Sequence, residues 1–421
     1  MSRLVIAAMG TRGDVAPLLD VALRLRDAGH EVVVAAHCLF RDLVTEAGLD
    51  FRLMGLDIQG DMSDPFGLDL SGHDVVEADK LTWPVGQRFL GNGLLDALAD
   101  EPADALLLSP ITEYAGLQLA EAKGIPAIGL RLFPLSATAQ HPPSLYGGND
   151  FGGLGNRLAA DFGAWFFDTL YRKPVAEFRR DLGLPKRSAR ELRRQRTDSQ
   201  WLVLHGYSPS VSPRPLDWRA GLEVTGYWWP PRPDDWEPPA DLVDFLAAGP
   251  PPVFIGFGST TEGISRQAEF SAIVDEALRR YGGRALVQAG WMQLDVGGDN
   301  VHTIGSVPYD WLFPRISAAI HHAGAGTTSA SLRAGVPFAA VPGQADQGFW
   351  ARRMRDLGVS PATIPLAKLS VDALLNALRA LTTDDSYRDR AAALASRIVR
   401  EDGAGTAVEA IEARLENLAK R

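Results

Sequence analysis

The chain has 421 residues, of which 46% are hydrophobic and 22% charged, and its formal net charge is -10. This length exceeds the range in which one hydrophobic core keeps growing, so we expect two domains of roughly 200 residues each in an ordinary globular protein. The acidic balance argues against a nucleic-acid-binding protein, because such proteins need a basic face to neutralise phosphates.

Cys38 is the single cysteine of the chain. This excludes an intramolecular disulfide and a cysteine-based zinc site, so a reducing, cytoplasmic setting is the simplest expectation. The apolar run near the N-terminus is too short for a signal peptide. No stretch of about 18 apolar residues occurs, so no transmembrane helix is predicted.

The first half of the sequence predicts alternating strands and helices. It opens "RLVIAAMGTRGDVAPLLDVALRLRDAGHEVVVAAH", a strand, a glycine loop, an amphipathic helix and a second apolar strand. "DALLLSP" and "PAIGLRLF" predict further buried strands, with the helix "AGLQLAEAKG" between them and Gly124 as its C-cap. Such alternation predicts an α/β fold with a parallel sheet covered by helices on both faces.

A proline-dense stretch then separates this half from a second run of strands and helices, which includes a helix from Gln267 to Tyr281. We place the first domain at 1–215, the linker at 216–240 and the second domain at 241–400. The tail, 401–421, has a helical pattern with one apolar stripe that needs a surface to cover.

"IHHAGAGTTSAS" ends a predicted strand at His321 and His322 and begins a helix near Thr327. Adjacent strand side chains point to opposite faces, so the two histidines are poorly placed to share a metal ion. The small residues Gly324 and Gly326 let the backbone approach a ligand, and the helix start favours a phosphate. The alternative is a tight strand-to-helix turn capped by a threonine.

The chain contains neither a Walker A motif nor G-x-G-x-x-G, which argues against a P-loop ATPase or an NAD enzyme. It also has no D-x-D pair to hold a divalent ion, so a diphosphate would be neutralised by a helix dipole, hydroxyls and imidazole. Ser259 and Thr260 follow the first strand of the second domain and could donate to the same phosphates.

Two acidic positions stand at predicted helix starts, where simple capping is the alternative to a functional role. Asp346 and Gln347 follow the strand "FAAV", and a carboxylate beside an amide suits the clamping of vicinal sugar hydroxyls. Asp14 lies between the first strand and helix, and a carboxylate that points into a cleft could act as a general base.

Between Leu130 and Tyr171 a proline-broken loop precedes an aromatic helix. We interpret this segment as the wall of a pocket for an apolar acceptor, with ordinary core packing as the alternative. The candidates on it are Phe133, His141 and Trp165. The basic run from Lys186 to Arg196 predicts a solvated helix face, with attraction to an anionic membrane surface or an anionic acceptor as the alternative.

Together the motifs resemble the GT-B glycosyltransferases, in particular the bacterial branch that glycosylates antibiotics and the related sterol glucosyltransferases. The resemblance runs nearly end to end, through "GTRGDVAPLLDVALRLRDAGHEVVVAAH", "VTGYWW", "QAGW", "SVPYDWLFPR" and "HHAGAGTTSASLRAGVPFAAVPGQADQGFWARRM". It implies two Rossmann-like domains that face a cleft, the first for the acceptor and the second for the nucleotide-sugar donor. The final helix would cross back onto the first domain.

Position by position, the resemblance assigns His322, Thr327 and Ser259 to the donor diphosphate. Trp291 and the backbone near Val307 match the part that receives the nucleotide base, and Asp346 with Gln347 matches the pair that holds the sugar hydroxyls.

Asp14 stands where many members carry a histidine base and where glycopeptide and sterol enzymes carry this aspartate. Glu113 is the candidate for a second acid that steadies the base.

The implied function is inverting transfer of a hexose from a UDP- or dTDP-sugar to a hydroxyl of a lipophilic natural product or sterol, with no metal and no cofactor beyond the donor co-substrate. Two alternatives remain open. A nucleotide-sugar epimerase of the same architecture would turn over donor without acceptor, and a catalytically silent homologue would only bind a partner.

Overall fold

The computed structural model describes residues 1–55, 84–233, 235–258 and 266–420. The described chain forms two parallel sheets, one of seven strands and one of five. Ser259 and Thr260 lie outside the described residues.

The first sheet has the strand order β3-β2-β1-β4-β5-β6-β7. Its strands are short runs of aliphatic residues, and most of their side chains are buried because helices cover both faces. Their bounds are β1 Arg3–Ala7, β2 Glu31–Ala36, β3 Asp50–Leu53, β4 Ala105–Leu108, β5 Ala127–Arg131, β6 Val203–His205 and β7 Leu222–Val224.

The α-helices of this half pack their apolar stripes on the sheet, as α2 does with Leu18, Leu19, Ala22 and Leu25. The predicted C-cap of α5 is confirmed, since Gly124 adopts φ +67°. The bounds are α1 Arg12–Val15, α2 Leu18–Asp27, α3 Arg41–Glu46, α4 Pro84–Leu98, α5 Glu113–Lys123, α6 Gly153–Leu170, α7 Arg172–Asp181 and α8 Ala189–Asp198.

The second sheet has the order β10-β9-β8-β11-β12. Its strands are β8 Val253–Gly256, β9 Ala285–Gln288, β10 Val301–Ile304, β11 Ala318–His321 and β12 Phe338–Ala340. The helix predicted from Gln267 to Tyr281 is confirmed as α10. The helices are α9 Ala240–Ala247, α10 Gln267–Tyr281, α11 Tyr309–Leu312, α12 Ala325–Arg333, α13 Gln347–Asp356, α14 Val371–Thr383, α15 Ser386–Ile398 and α16 Gly403–Ala419.

Both sheets reverse their strand order beside their first strand, at β1/β4 and at β8/β11. In open α/β sheets, ligands bind beyond the carboxyl ends of the strands at such a switch point. Asp14 lies in the short helix α1 that follows β1, and His322 lies in the loop that follows β11. The predicted class, two Rossmann-like domains with parallel sheets, is confirmed.

The first sheet continues into the segment that the sequence assigns to the linker, 216–240. Strand β7 lies within that range and pairs in parallel with β6. Trp228 is 2% exposed and belongs to the core of the first sheet, where its Nε1 donates to Thr225 Oγ1. Proline density therefore marks only the later part of this segment, because the earlier part finds backbone partners in the sheet.

Helix α16 packs against α2 of the first half. Its stripe Ala404, Ala407, Val408 and Ile411 is buried in the same core as α2. No helix in the described part of the chain is long and apolar enough to cross a membrane.

Candidate active site

A cleft of about 2350 Å³ opens between the two sheets. Residues of both halves line it, including Asp14 and Phe133 from the first and His322, Thr327 and Asp346 from the second. The facing surfaces come close together, since a Cβ built on Gly326 would lie 3.9 Å from the Cα of Gly13. The loop after β1 and the start of α12 therefore meet across the cleft.

Asp14 lies in the short helix α1 and completes a capping box with Thr11. Its Oδ2 accepts hydrogen bonds from Thr11 N–H at 2.7 Å and from Thr11 Oγ1 at 2.9 Å. Both contacts fall on Oδ2, which leaves Oδ1 for the cleft. Burial raises the pKa of the Asp14 carboxyl above its ordinary value. The capping role and a role as base are therefore compatible.

The two histidines have different surroundings. His321 is fully buried, where its Nε2 pairs with Ser331 Oγ at 3.1 Å and its Nδ1 accepts from Ala323 N–H at 3.1 Å. Its ring also packs on Phe338, with centroids 4.0 Å apart. His321 is thus a core residue of the sheet, whereas His322 lines the cleft.

The His322 imidazole fits between two glycines. A Cβ on Gly258 would lie 2.7 Å from His322 Cε1, and one on Gly324 would lie 2.6 Å from His322 Nε2. Ala323, which stands between His322 and Gly324 in the chain, adopts φ +60°, a strained value of the kind found at functional sites. Burial lowers the pKa of His322 to about 4, so the ring is neutral at physiological pH. Its buried Nδ1 has no hydrogen-bond partner in the described part of the chain.

Helix α12 begins at this loop, and the N–H groups of its first turn have no acceptor within the helix. Thr327 lies in this turn and lines the cleft. Tyr309 is hydrogen-bonded to Thr327 and donates to Gln288 Oε1 at 2.9 Å. The sequence did not single out Tyr309 as a site residue, although it lies in the motif "SVPYDWLFPR". Burial raises the pKa of Tyr309 to about 12, so the phenol stays a donor.

Asp346 and Gln347 lie at the start of α13. Asp346 Oδ2 accepts from Trp350 Nε1 at 2.6 Å, and the Ala325 N–H at the start of α12 also donates to this carboxylate. Burial and the nearby charge of Asp14 raise the pKa of Asp346 to about 7. Gln347 Oε1 accepts from the Gly343 and Gln344 N–H groups, so its NH₂ is the group that it can offer a ligand.

Trp291 and Val307 lie on the loops after β9 and β10, and both line the cleft. The backbone N–H of Trp291 donates to the carbonyl oxygen of Gly258 at 3.1 Å, which ties the Trp291 loop to the loop beside His322. The residues predicted to receive the nucleotide base and those predicted to hold the phosphates therefore share one edge of the second sheet.

Phe133, His141 and Glu113 line the first-domain side of the cleft. His141 packs edge-on against Phe349 of α13, at 5.2 Å between centroids. Glu113 accepts two hydrogen bonds from the Arg131 guanidinium, each at 2.8 Å. Within the described residues no hydrogen bond joins Glu113 to Asp14, so the structure does not pair the two acids.

Trp165 lies elsewhere than the sequence predicts. It is 55% exposed and does not line the cleft, whereas Ala164, Phe167 and Tyr171 do. One residue step turns a helix by about 100°, so the cleft-facing positions of α6 exclude Trp165. We therefore correct its assignment from a pocket residue to a surface residue.

The first half of the chain also contacts the second half directly. A Cβ on Gly348, next to Gln347, would lie 2.5 Å from the carbonyl carbon of Gly147. Arg352 Nη2 donates to Asp150 Oδ2 at 2.9 Å across the same contact. Only glycines allow this approach, which holds the loop before α6 against α13.

No group of three or more His, Cys, Asp or Glu side chains is arranged for a metal ion among the residues that the structure describes.

Comparison with known protein families gives two matches. Residues 4–82 match the glycosyltransferase family 28 N-terminal domain, and residues 292–413 match the erythromycin biosynthesis protein CIII-like, C-terminal domain. One match falls in each half of the chain.

The relatives that match across nearly the whole chain include a bacterial and a plant glycosyltransferase. The sequence is 34% identical to the O-mycaminosyltylonolide 6-deoxyallosyltransferase of Streptomyces fradiae, over 97% of both chains. It is 32% identical to a sterol 3-beta-glucosyltransferase of Arabidopsis thaliana, over 97% of this chain but only 65% of that longer protein.

The fold also matches the crystal structure of a glycosyltransferase from Streptomyces sp. SF2575 in complex with thymidine diphosphate, with a TM-score of 0.62 at 21% identity over 98% of this chain and 99% of that chain. The described architecture, the two domain matches and the Streptomyces fradiae relative all indicate the same family. The chain belongs to the GT-B glycosyltransferase family that includes bacterial antibiotic and sterol glycosyltransferases.

Proposed function

We propose that the protein is an inverting, metal-independent glycosyltransferase that moves a hexose from a UDP- or dTDP-sugar to a hydroxyl of a lipophilic natural product or sterol-like acceptor. One observation carries the proposal: Asp14 and the loop from His322 to Thr327 face the same cleft from opposite domains. The acceptor class is supported by the names of two relatives, whose acceptors are a sterol and O-mycaminosyltylonolide.

The donor diphosphate lies, in this proposal, against the first turn of α12. The helix N-terminus supplies N–H groups of its first turn and the positive end of its dipole, and Thr327 supplies a hydroxyl. His322 is neutral at physiological pH, since burial lowers its pKa to about 4, and as a neutral ring it donates one hydrogen bond. These groups can stabilise the leaving diphosphate without a bound metal ion.

The sugar ring lies between the phosphate-binding loop and α13. The Asp346 carboxylate and the Gln347 NH₂ are the polar groups at the helix start, and both line the cleft. They provide an acceptor and a donor for neighbouring sugar hydroxyls.

The acceptor enters from the side of Phe133 and His141. Its hydroxyl oxygen forms a bond to the anomeric carbon on the face opposite the diphosphate, while the bond from that carbon to the diphosphate oxygen breaks. The hydroxyl proton passes to Asp14, and the nucleoside diphosphate leaves with the bonding electron pair. Because burial raises the pKa of Asp14, its ionised form is a stronger base than an exposed aspartate.

Asp14→Asn tests the proposal. The Asn side chain retains an oxygen that can accept from Thr11, so the capping contact survives while the base is lost. Turnover should fall by about 10²- to 10⁴-fold, with donor binding unchanged in a thermal-shift titration with nucleotide sugars.

The matched control is Asp20→Asn, which replaces a half-buried aspartate that accepts a hydrogen bond from the backbone N–H of Trp229 at 2.7 Å and does not line the cleft. Full turnover in Asp14→Asn would refute the assignment of the base. Donor consumption in the absence of acceptor would instead favour an epimerase.

A further inference from the structure

Helix α6 exposes large apolar side chains on the side that faces away from the cleft. The exposed fractions are 73% for Leu154, 59% for Leu158, 58% for Phe162, 55% for Trp165 and 47% for Phe166. Their spacing of three and four residues places them on one face, which we call the outer stripe. Contiguous exposed apolar surface of this kind marks an interaction site.

The opposite face of the same helix lines the cleft with Ala160, Ala164 and Phe167. Helix α6 is therefore apolar on both of these faces, a pattern typical of a helix that is covered on each side. No element of the described chain covers the outer stripe, as its exposure shows.

The segment of sequence that carries the outer stripe is basic, although the whole chain is acidic. Residues 151–200 contain eleven Lys and Arg against six Asp and Glu, whereas the full chain contains 42 against 52. The basic helix α8 is tied to α6 by Arg193, whose Nη2 contacts Asp168 Oδ2 at 2.5 Å. Arg172 and Arg190 are exposed nearby in the sequence. An exposed apolar stripe in a basic segment suits a partner that has an apolar interior and a negatively charged surface.

We propose that the outer stripe, together with the basic residues of the same segment, docks onto the surface of an anionic lipid bilayer. Trp, Phe and Leu on one helix face beside Lys and Arg are the features of helices that lie in the bilayer interface without crossing it. Anionic headgroups attract the arginines, while the apolar side chains enter the acyl boundary.

Docking in this orientation has a consequence for the acceptor. Because the other face of α6 lines the cleft, docking brings the cleft to about one helix diameter, roughly 10 Å, from the bilayer, which shortens the path of a lipophilic acceptor through water. This consequence rests on the proposed function, whereas the lipid binding itself does not.

The test is flotation of the full chain with vesicles of phosphatidylcholine alone and with an equimolar mixture of phosphatidylcholine and phosphatidylglycerol. We expect binding to the mixed vesicles that weakens with salt. The variant Phe162→Ser/Trp165→Ser should lower partitioning by roughly a hundredfold, about tenfold for each aromatic side chain withdrawn from the interface. Arg172→Gln/Arg190→Gln should lower it by about fivefold for each charge.

Val243→Ser is the matched control, because Val243 is 40% exposed on α9 in the second domain. Asp14→Asn should bind vesicles like the unchanged chain, so failure of lipid docking and failure of the proposed catalysis are distinguishable. Equal binding to both vesicle types, or unchanged binding in the aromatic variant, would overturn the proposal. A dimer in sedimentation velocity that the aromatic variant abolishes, together with no vesicle binding, would assign the outer stripe to a second copy of the chain.

Discussion

The raised pKa of Asp346 should make the stability of the protein depend on pH. Burial and the charge of Asp14 raise this pKa from 3.8 to about 7. Between these two values the folded state keeps a proton that the unfolded state has released, so the free energy of unfolding falls as pH rises. This decrease in the free energy of unfolding is absent below about pH 4 and complete above about pH 7.

Asp346→Asn removes the titrating group and keeps an oxygen that can accept from Trp350 Nε1. One pKa unit corresponds to about 1.4 kcal/mol, so a shift of about three units costs about 4 kcal/mol once the carboxyl is ionised. Roughly 3 kcal/mol of this difference should develop between pH 5 and pH 8. The variant should therefore gain stability over the unchanged chain by about that amount across this window.

The measurement is urea unfolding followed by tryptophan fluorescence and circular dichroism at several pH values, with the two chains compared at each pH. Asp372→Asn is the control, since Asp372 lies in the first turn of α14 and its side chain is 84% exposed. Trp350→Phe removes one donor to the ionised carboxylate and should raise the pKa further, which extends the window to higher pH. A difference between Asp346→Asn and the unchanged chain that is constant from pH 5 to pH 8 would refute the reasoning.

Three further predictions concern other contacts. His322→Ala should weaken binding of UDP or dTDP by about tenfold in calorimetry, the value of one hydrogen bond to a charged group; unchanged affinity would remove His322 from the donor site. Gly348→Ala would force the Gly147 loop away, so turnover should fall while UDP still binds; full turnover would show that the contact is dispensable. Arg131→Gln leaves a largely buried Glu113 carboxylate unpaired and should lower the free energy of unfolding by about 3 kcal/mol in urea titration; no loss would show that water replaces the pair.

Residues that follow strands could be placed from the sequence, because the carboxyl ends of parallel strands meet at one edge of a sheet. This reasoning placed Asp14, His322 and Asp346 just after strands whose ends the structure brings to one cleft. It also separated His321 from His322, since neighbouring strand residues face opposite sides. The C-cap at Gly124 was predictable as well, because a capping signal depends only on a few consecutive residues.

Other features depend on contacts between distant segments, and no local pattern predicts them. The pairing of Glu113 with Arg131 joins the start of α5 to the end of β5, and the pKa of Asp346 depends on Asp14 in the other half of the chain. Helix α6 is apolar on two faces, so periodicity could not show which face meets the cleft, and Trp165 was misplaced for that reason. The sequence by itself determined the strands, the loops and the chemistry that they carry. Only the tertiary structure decided which side chains meet, because burial and charge act through space across residues far apart in the chain.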